Sequence, residues 1–111
     1  MILVIIKIDG RPTKQKELVQ TVCALAERVR QEAGCVSSHC YRDVEHENTL
    51  CILEEWATQA DVDAHLRSHN WSVLLGAIKL LNGVAEIKFH TVSQTRGEEA
   101  IEAARGGPAG G

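Results

Sequence analysis

Over the first nine residues the apolar side chains fall on both parities, Ile2, Val4, Ile6 and Ile8 alternating with Leu3 and Ile5. A strand with one wet face would alternate, so this run predicts a strand over residues 1–9 that is covered on both sides. Gly10, Pro12 and Thr13 make a turn. Leu18, Val22, Leu25 and Val29 then recur at the spacing of one amphipathic helix ending at Gly34. Lys14 and Lys16 put the wrong charge at its start and Arg28 and Arg30 the right one near its end, so periodicity rather than capping carries this helix. Residues 35–43 and 49–56 are β-favouring runs on either side of Glu45-His46-Glu47-Asn48, the pattern of a hairpin. Thr58 is placed to cap the amide of Asp61 and open a short helix, and Ser68 to cap a second one. In that second helix Trp71, Leu74, Leu75, Ile78 and Leu81 keep helical spacing until Asn82-Gly83 breaks it. Residues 85–92 alternate again, with Ile87 and Phe89 among polar neighbours, and predict a last strand.

The order is βαββαβ, its second helix broken near Arg67-Ser68. The right-handed crossover rule folds this order into an α+β, ferredoxin-like domain with a four-stranded antiparallel sheet and its helices on one face. Because the first strand is apolar on both faces, the uncovered face is expected to bury itself against a second copy in a two-fold homodimer. The domain is expected to occupy residues 1–96. Residues 97–111 change character, from a marginal helix around Glu98-Glu99-Ala100-Ile101-Glu102-Ala103-Ala104-Arg105 to a flexible Gly/Pro-rich end, and read as an appendage.

The chain's 111 residues and 12.2 kDa fit one small domain, which buries only about 65% of its unfolded surface and gains from a partner. A net charge of −3 offers no cationic field for phosphate backbones or anionic lipid. Nucleic-acid and membrane binding are therefore not expected. The apolar start is too short to span a bilayer and lacks the marks of a signal peptide, so a cytoplasmic protein is expected. Cys23, Cys35, Cys40 and Cys51 form no C-x-x-C pair and no zinc-like cluster. They read as reduced thiols, mostly buried, with no metal site. Strand parity would point Cys35 and Cys40 to opposite faces.

The informative stretch is Leu50-Cys51-Ile52-Leu53-Glu54-Glu55-Trp56-Ala57-Thr58, continuing through Ala60-Asp61-Val62-Asp63-Ala64-His65-Leu66-Arg67-Ser68-His69. A strand ending E-x-W, a capped turn and a helix leading to H-x-x-x-H resemble the antibiotic biosynthesis monooxygenase (ABM) family of dimeric α/β barrels. The likeness extends over residues 1 to about 93. It implies a homodimer, a pocket between sheet and helices in each subunit, and oxidation of a small aromatic, phenolic or quinol-type substrate by molecular oxygen with no metal or bound cofactor. Such chemistry is reasonable because a deprotonated, electron-rich ring can itself reduce oxygen if the site stabilises the anion and excludes water. Val62 stands where the polyketide-oxidising members have a tyrosine, and Ile52 where they have an asparagine. The heme-degrading members' asparagine and histidine are replaced within Val4-Ile5-Ile6 and Val73-Leu74-Leu75-Gly76.

On this resemblance His65 is the candidate base and Trp56 the pocket wall, with Glu54 on the same strand face, and His69 and Trp71 as further substrate contacts. His65 could equally pack against Trp56 or end its helix, and Trp71 could be core. Glu27, Arg28, Arg30 and Glu32 read as a solvated helix face. Two other functions suit the same scaffold: a non-catalytic, small-molecule-binding or stress-related dimer, which the loss of polar groups at Ile52 and Val62 favours, and a small-metabolite isomerase using the same histidine.

Overall fold

The computed structural model describes residues 1–81 and 83–106. Its elements are β1 (Ile2–Asp9), a 3-10 turn (Pro12–Lys14), α1 (Gln15–Val29), β2 (Cys35–Arg42), β3 (Thr49–Trp56), α2 (Gln59–Leu66), α3 (His69–Leu80), β4 (Val84–Thr91) and α4 (Glu99–Ala104). The strands form one sheet in the order β2-β3-β1-β4, with every neighbouring pair antiparallel. This is the ferredoxin-like arrangement expected from the order of elements.

Register explains the core. Ile6 lies opposite Ile52 on one side and Ile87 on the other, so the even positions of β1 share a face with Leu50, Ile52, Glu54 and Trp56. On that face Ile2, Val4, Ile6 and Ile8 are buried beneath Leu18, Val22, Leu25 and Val29 of α1, Val62 of α2, and Leu74 and Ile78 of α3. The opposite face carries Leu3, Ile5, Cys51 and Leu53, each only partly covered, and among the described residues no helix crosses it. One side of the doubly apolar strand is thus satisfied within the chain.

The predicted caps form: Thr58 Oγ1 accepts from the amide of Asp61 at 3.2 Å, and Ser68 Oγ from that of Trp71 at 3.2 Å. The turn at Gly10, Pro12 and Thr13, a candidate N-cap by sequence, supplies none: a 3-10 turn over Pro12–Lys14 leads into α1, which has no side-chain cap. The helix is shorter than expected, ending at Val29 rather than Gly34. Residues 30–33 form tight turns instead, and Gly34 adopts φ +81. The sharp reversal has a packing reason, since a Cβ at Gly34 would overlap the Asp61 carboxyl at the start of α2.

Two readings of the cysteines change. A bulge between Cys35 and Ser37 shifts the register, so Cys35 lies opposite Trp56 and Cys40 opposite Ile52. Both therefore face the helices, because the extra residue cancels their odd separation. They remain four β3 positions apart, too far to bridge. All four cysteines are free as expected, but none is fully buried: Cys23 is exposed and Cys35, Cys40 and Cys51 are half-buried.

Helix α4 buries no residue. The glycine-rich end expected to be flexible (residues 107–111) and Asn82 of the expected helix break lie outside the described residues. Among the described residues no helix is long and apolar enough to cross a membrane.

Candidate functional site

Three chain segments converge on His65. The inner face of α2 carries Val62 and His65 at i, i+3, and both are buried. Strand β3 presents Glu54 and Trp56 toward it, two positions apart on one face. The turns after α1 bring in Glu32. That loop is held from several directions: Gly34 receives the amide of Ala57 at 2.9 Å and packs on Asp61, while the Arg30 guanidinium donates to the Ser38 carbonyl at 2.7 Å.

The imidazole is clamped by two carboxylates. Nδ1 lies 3.0 Å from both oxygens of Glu32, and Nε2 lies 3.3 Å from Oε1 of Glu54. The His65 and Glu54 side chains are only 2% and 3% exposed, and that of Glu32 is 20% exposed. Each carboxylate is held in turn: Trp56 Nε1 donates to Glu54 Oε1 at 3.1 Å, and Asn70 Nδ2 to Glu32 Oε2 at 3.1 Å. The ring stacks on Trp56, centroids 4.5 Å apart, and meets the edge of Trp71 at 5.5 Å.

The two ring nitrogens differ. Nδ1, equidistant from two carboxylate oxygens, is the natural site of the proton in the neutral ring. Nε2 is near Glu54 but poorly aligned with it, and makes no proper hydrogen bond. Burial pulls the imidazole toward its neutral form. Glu54, by its close negative charge, and then Glu32, by hydrogen bonding and charge, outweigh burial and hold the His65 pKa above its ordinary 6.5.

His65 lines a small hollow formed chiefly by Val22, Leu25, Ile52, Trp71 and Leu74, with Ser38, Glu54 and Asn70 as further polar members. The Oγ of Ser38, a fully buried residue, has no hydrogen-bond partner. Two residues with an unpaired buried polar atom, Ser38 and His65, thus line one largely apolar space. In this closed form the space holds about one water molecule. Among the described residues no group of three or more His, Cys, Asp and Glu could hold a metal ion.

Of the residues singled out from sequence, Glu54, Trp56, His65 and Trp71 come together. His69 does not join them: it opens α3 beyond the Ser68 break and is exposed. Glu32 departs from the expected solvated face because α1 ends before it and the chain turns inward, whereas Arg30 stays exposed as expected while reaching the Ser38 carbonyl. Ser38 was not singled out, since the β2 bulge reverses the parity from which its face would be judged. One signal was available: counted back from the hairpin, Ser38 pairs with Glu54.

A small α+β domain with a buried histidine between sheet and helices matches one family model, antibiotic biosynthesis monooxygenase, over residues 1–74. The chain belongs to that family. No curated protein matches it. Among solved structures it is similar to a candidate antibiotic biosynthesis monooxygenase from Deinococcus radiodurans, at TM-score 0.84 and 20% identity, covering 87% of this chain and 97% of that one. A conserved protein from Methanosarcina mazei Go1 is 28% identical at TM-score 0.74, with coverage of 80% and 89%. A variant of SnoaB, a cofactor-independent oxygenase from Streptomyces nogalater, is 15% identical at TM-score 0.74, with coverage of 85% and 94%.

Proposed function

We propose that the protein is a monooxygenase that uses molecular oxygen on a small phenolic or quinol-type aromatic, with His65 as the base and no bound cofactor. The reading is carried by the clamped imidazole, whose Nδ1 faces Glu32 while its Nε2 has no hydrogen-bond partner, in a residue that lines a largely apolar hollow. In the neutral ring Nε2 is the free acceptor, placed to take the proton of a substrate hydroxyl. The resulting imidazolium then faces the substrate anion across a dry contact, where its charge counts most. That anion is the reductant for oxygen. Glu32 and Glu54 are positioning residues, fixing the ring and stabilising the proton it receives.

Entry of an aromatic ring requires Trp71 and Leu74 to move, because the closed hollow holds about one water. Apolar replacements at Ile52 and Val62 favour a substrate smaller and less polar than a polyketide. We further propose that two chains associate through the open sheet face that carries Leu3, Ile5 and Leu53, which would seal the domain from the side opposite the helices. Family membership supports this reading of both site and assembly.

The test is oxygen uptake by the purified protein against a panel of quinols and anthrones, beside His65→Gln. Uptake coupled to substrate loss, reduced about 100-fold or more in the variant, is expected for a base of this kind. Binding without uptake would point to a ligand-binding dimer, and turnover without oxygen to an isomerase.

A further inference from the structure

Another cleft opens between α1 and the outer strand β2. It is lined by Cys23, Ala26, Glu27, Arg30, His39 and Cys40. Cys23 comes from α1 and is exposed, Cys40 comes from β2 and is half-buried, and both are free. The register aims Cys40 at α1, since it lies opposite the core residue Ile52, and both thiol-bearing residues line this one cleft. Cys51 pairs with Tyr41 and so projects from the other face of the sheet, while Cys35 sits at the far end of β2. Only one pair among the four cysteines is therefore placed to react.

We propose that Cys23 and Cys40 form an oxidisable dithiol that a hydroperoxide converts into a disulfide joining α1 to β2. Cys23, open to solvent, meets the oxidant first. Its thiolate attacks one peroxide oxygen, the O–O bond breaks, and hydroxide, or alkoxide when the peroxide is organic, leaves and takes up the proton that the thiol released, giving water or an alcohol. The sulfur is left as a sulfenic acid. The Cys40 sulfur then attacks Cys23 Sγ. The S–S bond forms as the S–O bond breaks, and the oxygen departs as water with the Cys40 proton. The two thiols lose two electrons in all and the peroxide gains them. Burial, followed by the nearness of Cys23 and Cys51, pushes the Cys40 thiol up to about 11. It is thus protonated at neutral pH, which leaves the first attack on the peroxide to the exposed Cys23.

The site does not depend on the His65 chemistry, yet it borders it. Val22 and Ala26 flank Cys23 along α1, Ser38 lies two residues before Cys40, and all three line the His65 hollow. A bridge would fix the spacing of that wall.

The test treats the full chain with hydrogen peroxide, blocks free thiols, and maps peptides without reduction. The expected result is an intact mass lower by two hydrogens and a Cys23–Cys40 linked peptide that dithiothreitol reverses. That peptide is absent from Cys23→Ser and Cys40→Ser and retained in Cys51→Ser, and Cys40→Ser accumulates a dimedone-reactive sulfenic acid at Cys23. The bridged protein should also melt at a higher temperature than the reduced one. Oxidation that stops at Cys23 in the wild-type chain, bridges between chains, or links through Cys35 or Cys51 would overturn the proposal.

Discussion

The imidazole of His65 lies over the indole of Trp56 with centroids 4.5 Å apart and planes inclined by 28°. The same indole donates its N–H to Glu54, the carboxylate next to Nε2 of that imidazole. One tryptophan therefore supports the ring from beneath and fixes the acid at its edge. Its place at the end of β3 turns strand geometry into site geometry.

The clamp ties stability to pH. The folded His65 pKa lies above its ordinary 6.5, so its contribution to stability is whole below that pH and is lost as pH rises through the folded value. Thermal melts of the wild type should show a higher Tm near pH 6 than above pH 8, with the difference shrinking in His65→Gln. A wild-type Tm that rises over the same window would contradict the clamp.

Activity should run the opposite way, because Nε2 accepts a proton only when it carries none. Oxygen-uptake rates should fall as pH drops below a midpoint lying above 6.5. In Glu54→Gln, which keeps an acceptor for Trp56 but removes a charge, that midpoint should move to lower pH. An unmoved midpoint in a folded variant would assign the titration to another group.

Gly34→Ala should destabilise the domain by about 1–2 kcal/mol from the left-handed backbone alone, and by more from the overlap with Asp61. Because the same turn delivers Glu32 to His65, the variant should also lose activity beyond its loss of folded protein. Chemical denaturation read beside the specific activity of the folded fraction separates the two effects.

Leu53→Lys places a charge on the open sheet face without touching the core beneath. Sedimentation velocity should show a wild-type dimer and a folded, monomeric variant. A wild-type protein that stays monomeric at micromolar concentration would remove the proposed assembly.

Much of the fold could be read from the chain because its apolar periods are clean. β1 carries its mark on both parities, α1 on a four-residue stripe, and Thr58 and Ser68 announce their helices. The site was legible where strand and helix periods applied, placing Glu54 with Trp56 and His65 on the neighbouring helix. It was not legible where the chain leaves those periods. Glu32 looks like one more charge on a helix that in fact ends at Val29, and Ser38 follows a bulge that resets parity within β2. His69 shows the converse, a conspicuous i+4 partner turned away because Ser68 begins a new helix.

Transfer of a proton from bound substrate to Nε2 of His65 can be seen directly by titrating a chromophoric phenol into the protein without oxygen, at a pH below the phenol's own pKa. The wild type should convert the bound phenol to its phenolate, with the absorbance of the anion, and His65→Gln should bind it in the neutral form. A phenol that stays neutral in the wild type, or ionises equally in the variant, would contradict the assignment of His65 as the base.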